Sequence, residues 1–506
     1  MADTSVLIVG AGPTGLVLAL WLTKQGVSVR IIDKTAAPGT TSRALAVHAR
    51  TLELYRQLDL ADAIVEKGYS VPGARLWVAG RPAARIPFEE IASDLTPYAF
   101  LHIFPQDEHE RLLVERLEAH GVQVERLTEL TGYTDEGDRV SARLRGADGV
   151  EHVVEAAYIA GCDGARSRVR EGMATGFPGG SYPQIFYVAD VAGEGPGFNG
   201  DLNIELDEAD FLAIFPMGDK GRVRLIGAIK PDDGQDLDKL TFDDIRDRAV
   251  QQLHLKVVKV NWFSVYHVHP RVTDHFRRGR AFVLGDAAHI HTPVGGQGMN
   301  TGIGDAINLA WKLQAVLAGK ASDALLDTFE AERRAFALRL VKTTDRFFNL
   351  AAAEGHLAEI IRTRLAPLLL RQVVKIEAAR EFIFRTISQI TLNYHGKGLD
   401  QGQAGPVHGG DRLPWVKLDE GDNYKALARI GWQIHVYGAA RDDVKQWCEQ
   451  AGAPLQVYPW REAMREAGLR ENALYLIRPD TYVAIADPAQ SVAAVEGYFE
   501  KLGVRP

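Results

Sequence analysis

The sequence predicts an α/β protein in which a parallel-stranded first unit is interrupted by an antiparallel sheet, followed by long helices and closed by a smaller α/β unit. Three patterns predict it. First, the apolar run Val6-Leu7-Ile8-Val9 is joined through a glycine-rich turn and an apolar helical stretch to a second apolar run, Val27 to Ile32, as in a buried β-α-β unit. Second, residues 183 to 230 are extended and turn-rich. Third, the last hundred residues alternate strand and helix again.

Taken in order, the turn Gly10 to Gly15 leads into a helix with Leu16, Ala19, Leu20 and Thr23 on one side, ending near Gly26. The strand Val27 to Asp33 follows. Residues 43 to 67 read as helix, 74 to 105 as strands and loops, 106 to 120 as helix and 122 to 160 as strands. Four runs, Ile185 to Val188, Leu202 to Leu206, Phe211 to Phe215 and Val223 to Ile226, make an antiparallel sheet inserted between two parts of the first unit. Residues 281 to 285 return to a buried strand, and helices follow at about 302–318, 324–350 and 356–391. Six glycines and two prolines between 395 and 414 mark a linker. The expected domains are therefore 1–178 with 271–395, 179–270 and 396–506, with part of 74–105 joining the middle sheet.

At 506 residues the chain has room for two or three cores. A net charge of −8 disfavours nucleic acid as the main partner, which would need a basic footprint. The two cysteines, Cys162 and Cys448, build neither a disulfide framework nor a zinc site and suit a reducing cytoplasm. The stretch Val6 to Leu22 is broken by three glycines and a proline, so no membrane span is expected.

Gly10-Ala11-Gly12-Pro13-Thr14-Gly15 is a GxGxxG turn between strand and helix. The first glycine permits the turn, the second lets backbone approach a pyrophosphate, and the third lets the helix pack on the strand. The helix N-terminus offers free N–H groups and a positive dipole end. Asp33 ends the second strand where an acid takes ribose hydroxyls, with Lys34 beside it. The unit is thus Rossmann-like, and the motif alone leaves FAD and NAD(P) open.

Two further loops bear on that choice. Cys162-Asp163-Gly164-Ala165-Arg166-Ser167 follows a strand, and Gly285-Asp286-Ala287-Ala288-His289 precedes Thr292-Pro293-Val294-Gly295-Gly296-Gln297-Gly298-Met299-Asn300. With these, residues 4 to 340 resemble the flavoprotein aromatic hydroxylases, the para-hydroxybenzoate hydroxylase family. The resemblance implies FAD as cofactor. It implies that Asp286 accepts from the ribityl chain, that Gly295, Gly296, Gly298, Met299 and Asn300 wrap the isoalloxazine, and that a helix starting near Gly302 points its positive end at the flavin. It places Arg43 at the phosphates, Gln106 near the ribityl chain, and Asp163, Gly164 and Arg166 in a motif serving FAD and reduced nicotinamide. Asp33 departs from the glutamate more usual in the family, one methylene longer. Residues 405 to 506 resemble the thioredoxin-like extension of the larger hydroxylases, carried by Gly409 to Pro414 and Leu476 to Ala484; without CxxC it runs no dithiol chemistry. His289/His291 and His267/His269 have HxH spacing but no supporting carboxylate cluster, so no metal is expected.

The resemblance implies the chemistry as well. NADPH or NADH reduces the flavin, a C4a-hydroperoxide forms with O2, and one oxygen passes to a phenolic or polycyclic aromatic ring. Pro293 and Gly295 would flank the site of oxygen attack, with no side-chain base assigned. Phe211, Phe215 and Pro216 are candidate substrate walls, and Tyr187 and His267 candidate partners of a phenol. The alternatives are a Baeyer–Villiger or epoxidising enzyme, a non-oxygenating FAD reductase, and a non-enzymatic FAD-holding interaction protein. Packing or a homodimer contact is the default role of the C-terminal unit.

Overall fold

The computed structural model describes residues 3–39, 44–78, 80–88, 92–182, 184–206, 211–218, 221–229, 240–245, 255–292, 294–351 and 376–505. Three sheets organise them. In the first, strands Ala281–Val283, Glu151–Gly161, Thr4–Val9, Val29–Ile32 and Val124–Glu125 lie side by side and parallel. The apolar runs are buried on both faces, as a parallel sheet under helices requires. The antiparallel strands Glu129–Asp135 and Val140–Arg145 extend it off Glu151–Gly161.

Helix Pro13–Lys24 was expected to bury one side; it is buried all round from Leu16 to Leu22, Trp21 included. The reason is the long helix Gln297–Leu317, which crosses it and shares one hydrophobic core with it and the sheet. A helix hydrophobic on every side belongs in such a position.

The second sheet runs Lys256–His267, Ile185–Glu194, Arg222–Ile229, Phe211–Pro216, Leu202–Leu206, Gly73–Val78 and Arg81–Pro87. It is mixed, not purely antiparallel: Leu202–Leu206 pairs parallel with Gly73–Val78, which with Arg81–Pro87 joins the sheet from the distant 74–105 stretch. Its two faces belong to different cores. Val188, Ala213, Phe215 and Ile226 pack with the first unit, whereas Tyr187, Leu212, Ile214 and Leu225 pack with Trp77 and Phe242 on the far side.

The third sheet has the order Val407–His408, Gln401–Ala404, Val483–Asp487, Leu474–Ile477, Gln433–Tyr437, Leu455–Tyr458. The expected linker at 395–414 is thus corrected. Two of its glycines serve strand contact: a side chain on Gly409 would strike Gln401 and Ala484 backbone, and one on Gly402 would meet the Ala486 carbonyl at 2.5 Å.

Two helix readings also change. Residues 43–67 are not one helix: strand Ala46–Val47 precedes helix Ala49–Tyr55, and a left-handed Asp59 separates it from helix Ala61–Lys67. Of 356–391, residues 356–375 lie outside the described residues, and Glu377–Ile387 is helical. No helix among the described residues is long and apolar enough to cross a membrane.

Candidate active site

The GxGxxG turn is built as its spacing requires. Gly10 sits at φ 103°, and a side chain there would strike the Cys162 carbonyl; one on Gly15 would strike the Gly10 carbonyl. Gly12 differs: a Cβ there meets nothing within 4 Å. The backbone at Gly12 therefore faces open space at the N-terminus of helix Pro13–Lys24, as a pyrophosphate cradle needs.

Asp33 lies beside this turn. Its Oδ2 accepts from the Ala11 N–H at 2.7 Å, and its Oδ1 from the Thr35 N–H and hydroxyl at 2.8 and 2.7 Å. Of about four lone-pair positions on a carboxylate, three are filled, leaving one on Oδ2. Lys34 is exposed next to it. Thr14 plays a part that the motif did not suggest. Side chains built on Gly285 and Gly302 would both run into its Oγ1, so Thr14 is the wedge at which strand end, turn and both helices meet. That contact brings Asp286, exposed in the helical turn Gly285–Ala287, next to the cradle.

The long helix begins at Gln297, five residues before its expected start. Gly298, expected in the loop, is helical, as is Gly302. The turn proper is Gly295-Gly296, with φ 80° and 63°, a succession of left-handed residues that glycine adopts without strain. Two side chains hold it. His48 Nε2 lies 3.0 Å from the Gly295 carbonyl and donates to it. Asn300 donates to the carbonyls of Gly296 (2.9 Å) and Ala46 (2.8 Å) and accepts from the His48 N–H and the Thr51 hydroxyl. With every amide position used, Asn300 is a brace for the turn, not a free ligand. Burial lowers the His48 imidazole to about 4 against the upward pull of the Gly295 carbonyl, so it is neutral at pH 7.

Beneath the turn, buried Asp305 accepts from the Gly285 N–H (3.0 Å), His289 Nε2 (2.7 Å) and Arg333 Nε (2.6 Å). Burial alone would raise its carboxyl, yet Arg333 and His289 hold it below the usual range. His289 is thereby used, and stacks between Phe276 and His291. The HxH spacing here makes packing and a hydrogen bond to Asp305.

Asp163 accepts from the N–H groups of Arg168 (2.7 Å) and Val169 (3.3 Å) at the start of the helical turn Arg168–Gly172, and burial raises its carboxyl. Gly164 is left-handed and Arg166 exposed. Gln106 begins helix Gln106–Ala119, its amide 2.8 Å from Glu110. Arg43 and Pro293 lie outside the described residues.

The sheet candidates divide. Phe215 faces the first unit. Tyr187 does not: it packs in the far core with its ring over Gly227, because neighbouring strand residues point to opposite faces. Pro216 is on the face opposite Phe215 by the same alternation. His267 is exposed at the end of the edge strand, 6.1 Å from the His269 ring, and lines no enclosed site. The Phe211 side chain lies outside the described residues.

The arrangement fits a flavin dinucleotide. Along with the open cradle at Gly12, buried polar atoms with no protein partner lie around the double-glycine turn: His48 Nδ1, His291 Nε2 and Thr292 Oγ1. Burial lowers His291 to about 4 as well. His48, Asp305 and Arg333 escaped sequence reading. Their partners stand 20 to 247 residues away, at no motif spacing.

Comparisons with known proteins agree with this geometry. A family model described as FAD binding domain matches residues 3–344. The chain is 39% identical to 6-methylpretetramide 4-monooxygenase of Streptomyces rimosus, over 99% of this chain and 94% of the relative. It is 31% identical to pentachlorophenol 4-monooxygenase of Sphingobium chlorophenolicum, over 82% and 76%. The structure of OxyS anhydrotetracycline hydroxylase from Streptomyces rimosus superposes with a TM-score of 0.79 at 26% identity, covering 99% of this chain and all of that one. A cradle for a pyrophosphate, a braced double-glycine turn at a helix N-terminus and these relatives lead to one conclusion: the chain belongs to the FAD binding domain family and is an FAD-dependent, NAD(P)H-using flavoprotein monooxygenase of the aromatic hydroxylase class.

Proposed function

We propose that the protein transfers one atom of O2 to a fused-ring phenol, with NADPH or NADH as electron donor, giving a hydroxylated ring, NAD(P)+ and water. The observation that carries this reading is the convergence at Thr14 of the open GxGxxG cradle with the two helix N-termini and the Gly285-Asp286 turn. The names of the relatives, 6-methylpretetramide 4-monooxygenase and anhydrotetracycline hydroxylase, support a fused-ring phenolic substrate.

FAD, when bound, supplies hydride acceptance and O2 activation. The chain's own residues bind and orient. Gly12 and the first helix dipole would hold the pyrophosphate, the free Oδ2 position of Asp33 one ribose hydroxyl, and Asp286 the ribityl chain. The amides following the Gly295 and Gly296 carbonyls are aimed by His48 and Asn300, which hold those carbonyls. A neutral His48 adds no charge beside the ring. Phe215 and the inner face of the second sheet would exclude water from the substrate. No side-chain base for the phenol is assigned.

We read residues 396–506 as a thioredoxin-like unit that docks the long helices and forms a homodimer through the exposed edge strand Leu455–Tyr458, which carries Val457. Its natural compartment is the cytoplasm, supported by two free cysteines, Cys162 and Cys448.

The test is turnover with NADPH or NADH under 18O2 against a panel of mono- and polycyclic phenols, read by mass spectrometry. One labelled oxygen on a ring carbon is expected. A label within a new lactone would overturn hydroxylation in favour of Baeyer–Villiger chemistry, and flavin reduction with no labelled product from any phenol would overturn the substrate class.

A further inference from the structure

Outside the set of flavin residues, three side chains converge at the entry to the C-terminal unit. His395 Nε2 lies 2.7 Å from Asp411 Oδ1, and His408 Nδ1 lies 3.7 Å from Asp411 Oδ2. One donor atom from each residue fits within 4.8 Å of the other two, the one such group of three among the described residues. The 2.7 Å contact is a hydrogen bond, but 3.7 Å is too long for one. It is close to the separation of about 3.3 Å that two donors adopt on a tetrahedral ion with bonds of about 2.0 Å.

The backbone fixes this grouping. The Asp411 N–H donates to the His408 carbonyl, and the His408 N–H donates to Asp411 Oδ2 at 2.8 Å. Gly410, at φ 90°, is wedged against the Tyr394 and His395 backbone; its carbonyl accepts from Tyr394 N–H and its N–H donates to Val483. On the other side the Asp400 carboxylate ties down the N–H groups of Gly396, Lys397 and Gly398. Three ligand-type side chains thus stand on two braced turns, half-exposed and reachable by solvent ions.

We propose that His395, His408 and Asp411 bind one zinc ion, with water completing the tetrahedron. Two imidazoles and a carboxylate select zinc over magnesium or calcium, which take oxygen ligands. The ion fastens residue 395 to the turn at 408–411. Tyr394, next in the chain, accepts from Arg333 Nη1 at 2.9 Å, and Arg333 holds Asp305 under the Gly285 turn. Zinc therefore secures the outer end of a chain of contacts that begins below the flavin site.

The test uses the full-length, FAD-loaded protein, stripped with chelator and titrated with ZnCl2 against a chromophoric competitor. One zinc per chain at micromolar or tighter affinity is expected, with a melting temperature raised by about 2 °C or more. His395→Ala and His408→Ala each weaken binding at least about tenfold and abolish the thermal shift, while FAD content stays unchanged. His267→Ala/His269→Ala, at the other exposed histidine pair, binds as the parent does. The proposal is overturned if the parent binds no stoichiometric zinc below about 100 µM, or if the His395→Ala/His408→Ala double variant binds as well as the parent.

Discussion

Gly12 and Gly15 are three residues apart in one motif, yet a methyl group on each meets opposite surroundings. At Gly15 it strikes the Gly10 carbonyl; at Gly12 it enters space bounded by no protein atom within 4 Å. Gly15→Ala should therefore destabilise the apoprotein by about 1–3 kcal/mol, the usual cost of overpacking. Gly12→Ala should leave the apoprotein within about 1 kcal/mol of the parent but weaken FAD at least tenfold by occupying the cradle. Thermal melts of apoprotein beside FAD titrations separate the two, and equal loss of stability in both variants would remove Gly12 from the cofactor site. Asn300 makes a second residue-scale case. Asn300→Ala strands the carbonyls of Ala46 and Gly296, the His48 N–H and the Thr51 hydroxyl, all gathered on one amide. Unpaired buried groups cost about 1–3 kcal/mol each when no water replaces the partner, so urea midpoints should fall markedly and the protein should be purified with less flavin.

Where elements meet, the crossing of helices Pro13–Lys24 and Gln297–Leu317 turns on the pair Thr14 and Gly302. Gly302→Ala should drive the new methyl into Thr14 Oγ1, and Thr14→Ala should relieve it. A double-mutant cycle is expected to show favourable coupling of about 1–2 kcal/mol; simple additivity would mean that the helices separate to admit the methyl. This crossing also shows what the sequence made legible. The first β-α-β unit was plain because its signals are local: an apolar run, GxGxxG, a helix, an acid. The start of the long helix at Gln297 was hidden, because Gly298 read as loop, and the reason for Gly302 is contact with Thr14, nearly 300 positions away. Two glycines of 395–414, Gly402 and Gly409, misled in the same way, being strand contacts and not linker. Extended runs located the middle sheet but could not tell which of its faces meets the flavin unit. That is why Phe215 and Tyr187 both stood as substrate candidates although they lie on opposite faces. His48 stood in a stretch of interest, but only folding puts it on the Gly295 carbonyl.

Across the whole molecule, the C-terminal sheet is joined to the flavin helices by charges that see no solvent. Glu332 accepts from Lys312 Nζ at 2.8 Å, from Asn308 at 2.7 Å and from Arg478 at 2.5 and 3.0 Å, and Arg478 also holds Asp480. A parallel set links Arg412 and Arg50 to Glu53. Burial opposes these charges, but Arg478 and Lys312 hold the Glu332 carboxyl well below the usual carboxylate range. Removing one partner strands the rest, so Glu332→Ala should cost about 3–5 kcal/mol, and limited proteolysis should then release the C-terminal unit. The buried imidazoles add a pH limit spread over the same whole. Burial lowers His48 to about 4 and His109 and His435 to about 3, all within the core. Unfolded, each takes up a proton below about 6.5. The unfolded chain therefore binds more protons than the folded one from pH 6.5 down to about 3, and stability falls through that interval while these groups leave it flat above. At pH 5 each imidazole costs about 2 kcal/mol relative to pH 8. His435 lies in the third sheet, bonded to Gln433 and far from the flavin turn, so it isolates the effect. In urea unfolding from pH 8 to 5, His435→Gln should lose about 2 kcal/mol less stability than the parent, the share of that one imidazole. An unchanged slope would mean that His435 keeps its proton in the folded protein, and that the acid limit comes from other groups.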